Sequence, residues 1–193
     1  MTSSIKNEKL SFAPTPFGNL HIVKRQRNGD LRGFFDRIYC KSEFYDEALN
    51  FNVKQVNHSF THRRGSVRGM HFQVEPYAEE KLVTCLSGEV FDVVVDVRTG
   101  SSTFLQNYSQ VLSQKNSRSL YIPVGFAHGF QTLTDNCQLL YLHSSNYSPV
   151  HERNLNVLDP SLAINWPLPI GEISEKDKNH SFISSTYEGI QTK

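Results

Sequence analysis

Two alternations run through EVFDVVVDVR at positions 89–98. Phe91, Val93, Val95 and Val97 fall on one face of an extended chain, and Val90, Asp92, Val94 and Asp96 on the other. KLVTCL, SLYIPV, FQTLT and QLLYLHS are further short runs rich in β-branched and large apolar residues. LSGE, RTGSS, SQKNS and LTDNCQ punctuate them with turn-forming Gly, Ser, Asn and Asp. Many short strands with little helical periodicity predict an all-β sandwich or barrel. KSEFYDEALN (41–50) is a candidate short helix, and from about residue 146 the pattern becomes irregular and richer in Pro, Asn and Ser. With no internal repeat or low-complexity linker, one domain is expected over 1–193, with 178–193 as a tail. A closed β-barrel of this size can hold a small ligand at its mouth.

Composition narrows the function classes. The 193 residues suffice for one proper core, and the formal net charge of +1 gives no global reason to bind nucleic acid or a membrane. HRRGSVR (62–68) is locally basic but lacks interleaved aromatics, so no nucleic-acid partner is expected. The stretch MTSSIKNEKL has no apolar leader region, and VFDVVVDV is short and interrupted by Asp92 and Asp96, so no membrane span is expected. Cys40, Cys85 and Cys137 are odd in number and lack paired spacing, which suits free thiols and a cytoplasmic location.

The candidate chemistry centres on RGMHFQ (68–73). From the residues alone, His71 is a metal ligand, a catalytic base or a packed core residue. Two spacings bear on this: Gly65-x5-His71-x-Gln73 leading on to Gly88, and Pro123-x-Gly125-x-x-His128. Together they resemble the two motifs of the cupin superfamily, a jelly-roll β-barrel. Cupin metal sites usually carry His-x-His in the first motif. Here Gln73 takes the second place, and a neutral amide is a poor substitute for imidazole. The resemblance therefore implies a cupin barrel with no metal and no cofactor.

A closer resemblance follows from DLRGFF, QVNHS, VRGMHFQ, KLVTCLSGEVFDVVVDVR, YIPVGFAHGFQTL, LLYLHSSNYSPVHER, LDPSLAINWPL and ISEKD, in that order from about Gly29 to Asp177. The chain resembles the dTDP-4-dehydrorhamnose 3,5-epimerase family, whose members epimerise nucleotide-linked 4-keto-6-deoxyhexoses. A 4-keto group acidifies the C3 and C5 protons. Inversion needs a base on one face, stabilisation of the enolate, and an acid on the other face. The resemblance implies His71 as base, Asp177 as the carboxylate fixing its tautomer, Lys81 as donor to the keto oxygen and Tyr141 as acid. It also implies that Arg32, Gln55, Asn57, Arg68, His128, Tyr147, Glu152 and Lys176 line the nucleotide-sugar cleft. Arg32 would come from the partner chain of a homodimer that exchanges an N-terminal strand.

Plainer readings of the same residues remain. Lys81 beside Glu79 and Glu80 reads as a solvated charge run, Tyr141 as a barrel-filling aromatic, His128 as packing at the barrel mouth, and Asp177 as part of a polar tail. His58, His62 and His151 read as structural or solvent-exposed, and RNGDLRG as an ordinary turn. Three departures from the family pattern stand out: Arg37 at a usually acidic position, Val56 at another, and a 57–71 loop one residue longer than usual. The first two raise a CDP-linked 3,6-dideoxy-4-ketohexose as a rival substrate. A single-centre epimerase and a non-catalytic sugar-binding cupin also fit the same motifs.

Overall fold

In the computed structural model, which describes residues 9–192, the chain runs β1 (Leu10–Pro14), β2 (His21–Arg25), β3 (Asn28–Asp30), β4 (Gly33–Phe35), α1 (Lys41–Asp46), β5 (Gln55–Thr61), β6 (Val67–Gln73), β7 (Lys81–Ser87), β8 (Glu89–Asp96), β9 (Asn107–Ser113), β10 (Arg118–Ile122), β11 (Phe126–Thr132), β12 (Cys137–His143), β13 (Glu152–Asn154), a 3₁₀ turn (Pro160–Leu162) and α2 (Glu175–Lys178). A six-stranded sheet in the order β1-β2-β10-β7-β12-β5 faces a five-stranded sheet in the order β13-β6-β11-β8-β9. This is the expected all-β cupin jelly roll with short peripheral helices. The β7–β8 hairpin passes from one sheet to the other at Gly88, whose φ of +78° suits glycine there.

The central strands β7, β8 and β11 are covered on both faces, which is why they are rich in apolar residues. Between the sheets lie Val83, Cys85, Leu120, Ile122 and Leu139 from one and Val90, Val94, Phe126 and Phe130 from the other. Outside the six-stranded sheet, Phe44 of α1 and Phe51 pack on Leu82, Tyr121 and Leu142. Outside the five-stranded sheet, Leu155, Val157, Leu162 and Trp166 cover Val93, Val95 and Val97. Each such side chain taken out of water stabilises the fold by about 1.5–3 kcal/mol. The two faces of EVFDVVVDVR thus separate as the alternation predicts.

The irregular C-terminal stretch is this outer cover, and the tail belongs to it. Ile183, Tyr187 and Ile190 pack on the same cluster. Ile190 and Val97 share a hydrogen bond of 2.7 Å, and Tyr187 stacks on Phe104 with ring centroids 6.1 Å apart. The stretch also carries α2 to the open end of the barrel. RNGDLRG is the tip of a β3–β4 hairpin that pairs with neither large sheet. β1 pairs with β2 of its own chain, and residues 1–8 lie outside the described residues.

Candidate active site

A cleft of about 660 Å³ opens between the sheets at one end of the barrel. β6 delivers His71 and Gln73 to it, while Met70 packs in the outer layer. β6 and β11 approach closely here: a Cβ on Gly69 (φ +120°) would sit 2.6 Å from the Gly129 Cα. That approach sets His128 opposite His71 in register.

His71 donates through Nε2 to Asp177 Oδ1 at 2.8 Å. α2 begins at Ser174, whose hydroxyl accepts from the Asp177 backbone N–H, so the helix start aims the carboxylate at the barrel. Burial pushes the Asp177 carboxyl up, but His71, Ser174 and the Gly69 N–H outweigh it and hold it below its ordinary value. Asp177 is thus not a disordered tail residue. With Nε2 committed, His71 Nδ1 is the nitrogen free to take a proton.

Tyr141 enters from β12, in the opposite sheet, with its hydroxyl 3.3 Å from Ser59 Oγ. Burial drives its phenol well above the ordinary value, so it stays protonated and able to donate. Tyr141 also packs against the interior core, so the barrel-filling reading describes its ring and not its hydroxyl.

Lys81 opens β7 and is 5% exposed, which removes the reading as a solvated charge run. Its ammonium lies 3.1 Å from Glu79 Oε1 and 3.1 Å from the His71 carbonyl. Glu80, between them, turns to the other side and accepts from the Tyr121 hydroxyl. The segment leading into β7 sends Glu79 and Glu80 to different partners, which a bare count of charges does not reveal.

The other expected lining residues fall around this group. Gln55 and Asn57 come from β5, and Arg68, held by Thr61 Oγ1 at 3.1 Å, comes from β6. Tyr147, Glu152 and Lys176 form a linked trio at the mouth, the hydroxyl and the ammonium both meeting Glu152 Oε2. His128 donates through Nε2 to Asp92 Oδ2 at 2.9 Å, a buried pair that explains one carboxylate of the apolar strand β8. Burial raises the Asp92 carboxyl, opposed by His128. Sequence reasoning missed Asp92, Glu79 and His143. The inward parity of Asp92 with Val90 and Val94 was the available signal for the first.

Arg32 does not join them. It sits on the β3–β4 hairpin, paired with Asp30, beside a Leu31 that is 108% exposed. Two of the three departures from the family pattern also lie outside the cleft of this chain, while the third, the 57–71 stretch, lines it. Arg37 pairs with Glu43 of α1, whose other oxygen accepts from Lys9 and Leu10 N–H. Val56 points outward from β5 and is exposed. Gln73 is committed at both ends of its amide, with Oε1 accepting from Ser148 N–H and Nε2 donating to Glu79.

Among known proteins, a family profile described as dTDP-4-dehydrorhamnose 3,5-epimerase matches residues 14–185. The chain is 43% identical to the dTDP-4-dehydrorhamnose 3,5-epimerase of Shigella flexneri, over 92% of this chain and 99% of that one. It is similar to the crystal structure of the same-named enzyme of Bacillus anthracis with TDP and PPi bound, with a TM-score of 0.87 at 34% identity, covering 90% of this chain and 99% of that one. It is also similar to a 3'-monoepimerase from Streptomyces bikiniensis in complex with dTDP-quinovose, with a TM-score of 0.82 at 33% identity, over 88% and 86%.

Proposed function

The chain belongs to the dTDP-4-dehydrorhamnose 3,5-epimerase family and is an epimerase of a dTDP-linked 4-keto-6-deoxyhexose; from that premise we propose that its reaction runs on His71, Asp177, Tyr141 and Lys81. The observation that carries this reading is the His71–Asp177 contact of 2.8 Å in a cleft that Tyr141 enters from the opposite sheet. Asp177 accepts the Nε2 proton and leaves Nδ1 as the base. His71 removes the proton next to the keto group, and the electron pair moves into the enolate. Lys81 stabilises the charge developing on the keto oxygen. Tyr141 returns a proton from the other face, which inverts the carbon. The base and acid then exchange their protons with solvent, and the second carbon follows by the same steps. No metal or cofactor enters any step. Arg68, Gln55, Asn57, His128, Tyr147, Glu152 and Lys176 bind and orient the nucleotide sugar.

The protein works as a homodimer in this reading. Three cationic side chains of its own cleft, Arg68, Lys81 and Lys176, face four carboxylates, Glu79, Glu152, Glu172 and Asp177. A diphosphate therefore needs positive charge from elsewhere. Arg32 stands on an exposed hairpin flanked by Leu31, Phe34 and Phe35, an apolar surface suited to a second copy. Arg32 of one chain then serves the cleft of the other. The catalytic assignment is tested with His71→Asn, Tyr141→Phe and Lys81→Met assayed on the dTDP-4-keto sugar. Full activity in any of the three removes that residue from the scheme.

A further inference from the structure

Behind Lys81 a polar chain runs from exposed residues at the mouth of the cleft to buried groups on its wall. Tyr147 N–H donates to Gln55 Oε1 at 2.9 Å, and Gln55 Nε2 donates to Asn57 Oδ1 at 3.2 Å. Asn57 Nδ2 then faces His143 Nε2 at 3.4 Å, and His143 Nδ1 faces Glu79 Oε2 at 3.1 Å. The Asn57 oxygen is already occupied, so its amide N–H donates to His143 Nε2. That fixes the tautomer: Nδ1 of His143 carries the hydrogen and donates to Glu79. Glu79 Oε2 also accepts from Gln73 Nε2 at 3.0 Å, and Oε1 meets the Lys81 ammonium at 3.1 Å. The Lys81 and Glu79 side chains are 7% and 8% exposed, that of His143 is 11%, and Gln73 is buried. Burial pushes the Glu79 carboxyl up, but Lys81 and His143 outweigh it and hold it ionised below its ordinary value.

We infer that Glu79 and His143 are positioning residues for Lys81: His143 locks Glu79, and Glu79 holds the ammonium at the cleft wall against the His71 carbonyl. The inference rests on the reading of Lys81 as donor to the keto oxygen. A lysine is a point charge on a flexible four-carbon stem, and it stabilises a developing enolate only if it is already in place. Its ammonium has three donors. Glu79 and the His71 carbonyl take two, and the third is left for the substrate oxygen. The carbonyl contact also ties the position of the ammonium to the strand that carries the base. The chain of bonds reaches the mouth through Asn57, Gln55 and Tyr147, so the groups that meet the substrate and the group that stabilises its charge share one network.

The test compares Glu79→Gln, His143→Phe, His143→Asn and Lys81→Met for kcat, KM, dTDP binding by calorimetry, and thermal unfolding. His143→Phe retains a ring to stack on Tyr141, now 6.2 Å between centroids, but has no donor. His143→Asn places an amide N–H where Nδ1–H stood. Glu79→Gln and His143→Phe are expected to lower kcat by about 10- to 100-fold, the weight of one hydrogen bond to a charged group. KM and dTDP affinity should stay within about threefold, because only transition-state charge is affected. His143→Asn should recover most of kcat. A kcat within about twofold of wild type in Glu79→Gln, with Lys81→Met inactive, overturns the inference alone. Equal kcat in the two folded His143 variants also overturns it, whether or not Glu79→Gln folds. An active Lys81→Met overturns the underlying reading of Lys81 instead.

Discussion

At the residue scale, the four side chains proposed to react are separable by experiment. His71→Asn should lose activity by about 10²–10⁴-fold, the usual weight of general-base catalysis. Steady-state turnover of the dTDP-4-keto sugar reads this directly. Asp177→Asn should also be strongly impaired, because an amide can donate to His71 Nε2 and drive the proton onto Nδ1, where the base must be empty. Since the Asp177 carboxyl lies below its ordinary value, its contribution is present at neutral pH and fades only as pH falls through that lowered value. The acid limb of a kcat/KM profile should therefore carry no carboxylate inflection above the ordinary aspartate range. Tyr141→Phe should still let His71 remove a proton, so solvent deuterium enters the substrate without matching inversion, which mass spectrometry with product analysis detects. The motif order made His71, Tyr141 and Lys81 legible in the sequence. Glu79 and His143 were not, because burial of a charge run and a contact 64 residues apart are products of the fold.

At the element scale, the alternation in EVFDVVVDVR was legible because its two faces meet two different apolar layers. FQTLT marked only the end of β11. The strand begins at Phe126 because His128 and Phe130 line the interior, which a glycine-containing FAHG stretch conceals. The tail was read as an appendage because polar residues separate its apolar anchors, yet Ile183, Tyr187 and Ile190 close the outer layer. The second carboxylate of β8 has a structural task. Asp96 accepts from Arg98, Ser101 and Thr103 and pins the β8–β9 connection. Burial raises its carboxyl, but these bonds outweigh it and bring it down to about 2. A depressed carboxylate stabilises above its unfolded value near 3.8 and loses that effect as pH falls toward 2. Asp96→Asn should destabilise the protein by about 1–3 kcal/mol at neutral pH. Denaturant unfolding should show the gap to wild type narrowing below about pH 4.

At the scale of the whole molecule, the exposed hairpin and the charge balance of the cleft argue that one chain does not complete the site. Arg32→Ala and His71→Asn should each be nearly inactive alone, the first through loss of the partner's diphosphate contact. Mixed and re-associated, they should form hybrid dimers in which one cleft has both residues. Random pairing makes half the dimers hybrid, each with one good site, so about a quarter of wild-type activity should return. No recovery, in a mixture shown to exchange chains, would place Arg32 outside the partner's cleft. Arg37, bound to Glu43, and the outward Val56 show why a sequence departure need not alter substrate choice: charge is compared by position, whereas contact depends on which way the side chain turns. The central claim is that one cleft removes and returns protons on both sides of a 4-keto group, with His71 as the base. Proton NMR of the dTDP-4-keto-6-deoxyglucose substrate in deuterium oxide tests it most directly. Wild-type protein should place deuterium at both C3 and C5 with inversion at each, and His71→Asn should place it at neither. Exchange at one carbon alone, or wild-type exchange in His71→Asn, would contradict the account.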